Sequence, residues 1–146
     1  MLQKVKEQIR QEPRSFDMGD WLRPGTNQYG TACGTAACIA GFTCIAHWKE
    51  QHPEQWKDRE EVTLSEIVSA THKSYHASCA LKAAALLGID HRSATFLFYT
   101  SSWPEPFKSD YHRATNGCEK NGYKPDHERR AEVACDRIDH FMATGE

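Results

Sequence analysis

Apolar residues recur at helical spacing along most of the chain, and the stripes break at proline, glycine and capping residues. Leu2, Val5 and Ile9 share one face of a first helix running from Leu2 to about Glu12. Pro13 stops it, because the residue before proline disfavours the α region. A loop with Gly19, Gly25, Gly30 and Gly34 then leads into a segment with little amphipathicity. There Ala37, Ala40, Cys44 and Trp48 form one stripe and Cys38, Phe42 and Ile45 another. A helix apolar nearly all round is a buried one, so residues 33–50 are predicted as the central helix, with Trp48 in the core. Residues 50–61 read as a solvated connection.

Thr63-Leu-Ser-Glu66 matches a capping box, with Leu64, Ile67, Val68 and Thr71 behind it. Tyr75, Cys79, Ala83 and Leu86 either continue that helix or begin a second near His76, and Gly88 suits the position just past its end. Asp90 can cap a short helix carrying Ala94, Leu97 and Phe98. Trp103-Pro104-Glu-Pro106 breaks the chain, and Phe107 and Tyr111 suggest another short helix. Asn116-Gly117 and Asn121-Gly122 are turn signals. The last helix runs from about Asp126 to Ala143, with Ala131, Ala134, Cys135, Ile138, Phe141 and Met142 on its apolar face and Gly145 closing it. With little period-2 alternation and no repeat, the reading is all-α: five to seven helices around the central one.

The 146 residues support one core, since a chain of this size buries about two-thirds of its unfolded surface. A single domain over 1–146 is the expectation. Eighteen Lys+Arg against 20 Asp+Glu give a net charge of −2, which argues against coating nucleic acid or anionic membrane. The apolar run from Ala36 to Ala46 is about half a bilayer span, and the first residues are too polar for a signal peptide. The expectation is therefore a cytoplasmic protein. The six cysteines are then expected as reduced thiols, with Cys38, Cys44 and Cys135 as small buried hydrophobes.

Several pieces recur together in order: Phe16-Asp17-Met18 with Trp21, Cys33-Gly-Thr-Ala-Ala-Cys38-Ile-Ala-Gly41, Ala85-Leu-Leu-Gly-Ile89, Leu97-Phe98 before Trp103-Pro104, and Val133-Ala-Cys-Asp-Arg137-Ile-Asp-His140-Phe141. Together they make the chain resemble an uncharacterised family of small bacterial and phage proteins with a CGTxxCIAG core. The chain departs from that pattern in a longer polar stretch at 116–124 and a His-rich stretch at 72–79. The resemblance implies a shared fold, no assigned reaction, and a phage-related context.

Cys33 is the most chemical position, at the predicted start of the central helix. A helix N-terminus presents unpaired N–H groups and partial positive charge, which lower a thiol's pKa and attract anions. A cysteine before small residues at a helix start also resembles the nucleophile position of papain-like and transglutaminase-like enzymes. Such enzymes need a histidine base. His47, 14 positions on, would lie roughly 21 Å away along the helix. The plainer account is that Cys33-Gly34-Thr35 packs the start of a buried helix, capped by Thr35 or Thr31.

His72, His76 and Cys79 would share one face of an unbroken helix and could supply three zinc ligands. HxxxH without an intervening Glu is a weak zinc signal, so exposed histidines and a core cysteine are the plainer reading. Asp136, Asp139 and His140 read as a solvated face. Trp21 and Trp103, in Pro- and Gly-containing loops, either plug the core or line a cleft. No P-loop, Rossmann fingerprint, HExxH or GxSxG occurs.

The leading expectation is a non-enzymatic cytosolic binding protein without a cofactor, recognising a small anionic ligand, such as a nucleotide, or a protein partner. Trp21, Tyr29 and Trp103 would supply stacking surface, and the backbone at Cys33, Gly34 and Thr35 would supply N–H donors. The alternatives are a cysteine-dependent hydrolase or transferase through Cys33, and a zinc protein through His72, His76 and Cys79. Homo-oligomerisation is left open.

Overall fold

A computed structural model describes residues 1–19, 23–24, 35–56, 75–116, 118–119, 122–123 and 125–146. Within these the chain is all-α. Its helices are α1 (Leu2–Gln11), α2 (Ile39–Gln51), α3 (Pro53–Trp56), α4 (Tyr75–Leu87), α5 (His91–Phe98), α6 (Phe107–Thr115) and α7 (His127–Thr144). Short 3-10 turns cover Pro13–Ser15 and Thr100–Ser102. Extended structure among the described residues is limited to two antiparallel pairs of two-residue strands, β1 (Arg23–Pro24) with β2 (Thr35–Ala36) and β3 (Cys118–Glu119) with β4 (Gly122–Tyr123), and a bridge from Phe16 to Ala37. No helix in the described set is long and apolar enough to cross a membrane.

The central position of α2 follows from its composition. Nine of its thirteen residues are buried, Trp48 among them, and it packs against α1 and α4. Thr43, the polar residue at its centre, is satisfied locally, its hydroxyl donating to the Ile39 carbonyl at 2.8 Å. On the other side α7 packs against α1 and α6. Helix α1 closes the gap with Val5 and Ile9 fully buried. Cys38, Cys44 and Cys135 are buried free thiols, as their place in apolar stripes predicts.

One predicted boundary moves. The central helix starts at Ile39 rather than near Cys33, with Cys38 at the N-cap and no side-chain cap bond from it. The cause is non-local. Thr35 and Ala36 pair with Pro24 and Arg23, and Ala37 exchanges main-chain bonds with Ser15 and Asp17, at 2.9 and 3.1 Å. Extended pairing with Arg23–Pro24 and with the residues after α1 takes residues that helix propensity alone would assign to α2. Met142, predicted on the apolar face of α7, is 46% exposed. The buried side of α7 instead carries two arginines, Arg130 and Arg137, with Val133 between them.

Candidate functional site

Among the described residues the most ligand-like feature lies between α4 and α5, and the turn joining them creates it. Gly88 takes a left-handed conformation at φ 67°. Its N–H bonds the Ala85 carbonyl at 3.2 Å, and the Ile89 N–H reaches back to the Ala84 carbonyl at 3.1 Å. That double closure is a Schellman turn, which satisfies the last carbonyls of α4. Asp90 follows at once as the cap of α5, accepting from the Ser93 N–H at 2.7 Å. The two helices therefore leave a tight corner and diverge from it.

The space they enclose is a hollow of about 370 Å³. One wall is made of Ala80, Leu81, Ala84 and Ala85, two rows at i, i+4 spacing along α4. Ile89 lines the corner, and Ala94, His91, Thr95 and Tyr99 form the opposite wall. Short side chains keep the floor open: Ala80, Ala84 and Ala94 are buried, yet none reaches across the gap. Leu81, at 63% exposure, and Tyr99, at 38%, stand on the walls as large hydrophobics in contact with solvent. Polar side chains line it only on the α5 side, in His91, Tyr99 and Thr95, whose hydroxyl already donates to the His91 carbonyl at 2.9 Å. Pockets of this size, apolar with a few convergent polar groups, are the usual form of small-molecule sites. A smaller hollow of about 250 Å³ lies among Phe96, Ser102, Pro104, His140 and Glu146.

A second polar constellation sits where the chain leaves for and returns from the segment of residues 19–35. Arg130, nearly fully buried, points one nitrogen at Asp17 Oδ2 (3.2 Å) and another at the Phe16 carbonyl (3.1 Å). The latter nitrogen also donates to His127 Nδ1 at 2.8 Å, which fixes that ring nitrogen as an acceptor. Burial, and then the neighbouring Arg130 and Arg14 charges, hold the His127 imidazole below its ordinary pKa. Beside them the Tyr111 hydroxyl accepts from the Met18 N–H at 2.9 Å, and burial pushes that phenol upward. This arrangement fastens the residues after α1 to α7, with both terminal nitrogens of the buried guanidinium bonded and its Nε without a partner among the described residues.

Trp103 plugs the core. It is 3% exposed, its indole N–H donates to the Leu97 carbonyl at 3.1 Å, and its ring meets Tyr111 edge-on at 5.4 Å. It presents no stacking face to a ligand. Thr35 lies in β2, paired with Pro24. Trp21, Tyr29, Cys33 and Gly34 lie outside the described residues, as does His72; the side chain of His76, on the first turn of α4, does also. The helix start invoked for Cys33 belongs to Cys38, whose thiol burial pushes up to about 12. Cys79 is buried against Cys44. Among the described residues no three His, Cys, Asp or Glu side chains are grouped to hold a metal ion.

Two features escaped the sequence reading. Arg130 gave no local signal, because its acidic partner lies 113 residues away. The α4–α5 pocket had a faint signal in Ala80-Leu-Lys-Ala-Ala-Ala-Leu-Leu87, an apolar run wider than one helix face needs. Comparison of the chain with protein-family models, with curated proteins and with solved structures finds no match.

Proposed function

We propose that this chain is a non-catalytic binding protein whose α4–α5 pocket receives a small, elongated, largely apolar molecule with a hydrogen-bonding group. One observation carries the reading: an alanine-floored hollow of about 370 Å³ with solvent-exposed Leu81 and Tyr99 on its walls. Exposed large hydrophobics cost little when scattered singly, but two beside one apolar hollow mark a binding surface. The expectation of an anionic ligand rested on a helix N-terminus at Cys33, and the first turn of α2 is instead buried among apolar side chains. The pocket favours an apolar body against α4 and polar groups toward α5. His91 and Thr95 stand one turn apart there, about 6 Å along the axis.

The reading is tested with a series of n-alkanols from hexanol to octanol, followed by amide chemical shifts. Saturable shifts should gather at Ala80, Ala84, Ala94 and Thr95. Each added methylene should tighten binding about fourfold while the chain still has apolar wall to cover. Ala84→Leu keeps helix propensity and fills the floor, so it should abolish binding with the fold intact. Shifts spread over the surface without saturation, or binding undiminished in Ala84→Leu, would sink the proposal.

A further inference from the structure

Cys44 on α2 and Cys79 on α4 face each other across the contact between these helices, both with no solvent exposure. Their sulfurs are 3.9 Å apart, with the Cys79 thiol donating to Cys44 Sγ. The Cys44 thiol in turn points at the Cys79 carbonyl at 3.7 Å. The two sulfurs are thus at van der Waals contact with their side chains already turned toward one another. Closing to the roughly 2.05 Å of a disulfide requires each sulfur to move about 1 Å, within what side-chain rotation at a helix contact supplies. We infer that Cys44 and Cys79 are a redox pair, which a peroxide converts into a disulfide tying α2 to α4.

The chemistry balances with hydrogen peroxide as the oxidant. The Cys44 thiolate attacks one peroxide oxygen and breaks the O–O bond, giving Cys44 sulfenic acid and hydroxide, which takes up the thiol's proton as water. The Cys79 sulfur then attacks Cys44 Sγ, its proton leaving with the sulfenic oxygen as a second water. Two thiols and one peroxide become one disulfide and two waters. The order of attack follows from the hydrogen bond. The S–H donated by Cys79 holds the Cys44 thiol below its ordinary value, while that same contact, with burial, holds Cys79 above it. Cys44 is therefore the sulfur that ionises. A peroxide of nearly water size reaches the pair through local opening of α4. The bond closes a loop of about 35 residues in the unfolded chain, so the oxidised form is the more stable one.

The full-length chain is treated with hydrogen peroxide in native buffer, denatured, and capped with N-ethylmaleimide for intact-mass and peptide mapping. The expected product is 2 Da lighter, takes up two fewer maleimides, and yields one peptide linked through Cys44 and Cys79. Dithiothreitol should reverse it, and its Tm should lie several degrees above that of the reduced protein. Cys44→Ala and Cys79→Ala should each abolish the product, and Cys135→Ala should leave it. Linkage through Cys33, Cys38 or Cys118 would overturn the inference, as would sulfinic acid on unlinked thiols, unchanged thiols, or a linked form that melts lower. Mapping of the wild-type chain decides the matter even if an alanine variant fails to fold.

Discussion

At the scale of single residues, Trp103 and His127 make separable predictions. Trp103 is held by packing and by one hydrogen bond to the Leu97 carbonyl. Trp103→Phe keeps most of the ring and loses the donor, so urea unfolding should show a loss of about 1 kcal/mol. Trp103→Ala opens a cavity beside Tyr111 and should cost about 3–5 kcal/mol. Equal losses in the two variants would mean that packing contributes nothing beyond the hydrogen bond. His127 predicts a pH effect. Its pKa is lowered in the folded state, by burial and then by Arg130 and Arg14, against the opposing Asp17 and Asp126. The unfolded chain therefore binds the proton more readily. The contribution is present above the unfolded value of about 6.5 and lost progressively as pH falls from there through the lower folded value. Tm measured from pH 7.5 down to 5.5 should fall more steeply in the wild type than in His127→Gln. Parallel curves would show that Arg130 and the burial leave the imidazole unperturbed.

At the scale of elements, what was legible depended on whether a boundary is set locally. Asp90, Gly88 and Gly145 were each placed from sequence at a helix end, and each sits there as expected, while Asp126, expected only near the start of the last helix, is its N-cap. Their chemistry is complete within four residues of chain. The start of α2 failed because Thr35–Ala37 is extended by pairing with residues up to 21 positions away. The pocket was only faintly legible for a similar reason. Its alanines are ordinary helix formers, and only the divergence of α4 from α5 turns them into a wall. The turn that sets this divergence can be probed directly. Gly88 and Gly145 both have positive φ, with open space where a Cβ would project. Alanine at either should therefore cost about 1–2 kcal/mol from backbone strain alone. Only Gly88→Ala should also weaken octanol binding, since only Gly88 orients a wall of the pocket. Weakening in both variants would trace the loss to general loosening instead.

Over the whole molecule, α7 acts as the spine to which separate parts of the chain are tied. Arg130 fastens the segment after α1 through Phe16 and Asp17. Arg137, fully buried, donates to the main-chain oxygens of Phe96 in α5 (2.8 Å) and of Glu146 (2.7 Å). Burial draws the Arg137 guanidinium down to about 10. Opposed effects meet here: a neutral side chain relieves the buried charge but takes the donor from the Phe96 carbonyl, while the exposed Glu146 oxygen keeps the Thr144 hydroxyl. Orphaned buried polar groups cost about 1–3 kcal/mol each. Both terminal nitrogens of the guanidinium meet an oxygen and only Nε lacks a partner among the described residues, so relief of the charge recovers less than the lost bonds. Arg137→Met should therefore destabilise by about 1–3 kcal/mol, and Arg130→Met, which takes the guanidinium from Asp17 and the Phe16 carbonyl, by a comparable amount. Seven residues separate the two positions, about 10 Å along α7, and they share no partner, so the double variant should lose the sum within about 0.5 kcal/mol. A coupling above about 1 kcal/mol would show that the ties are not independent and that α7 shifts as a body when either is cut. In that case Arg137→Met should also move the α5 wall and reduce octanol affinity, a change that Arg130→Met would then share.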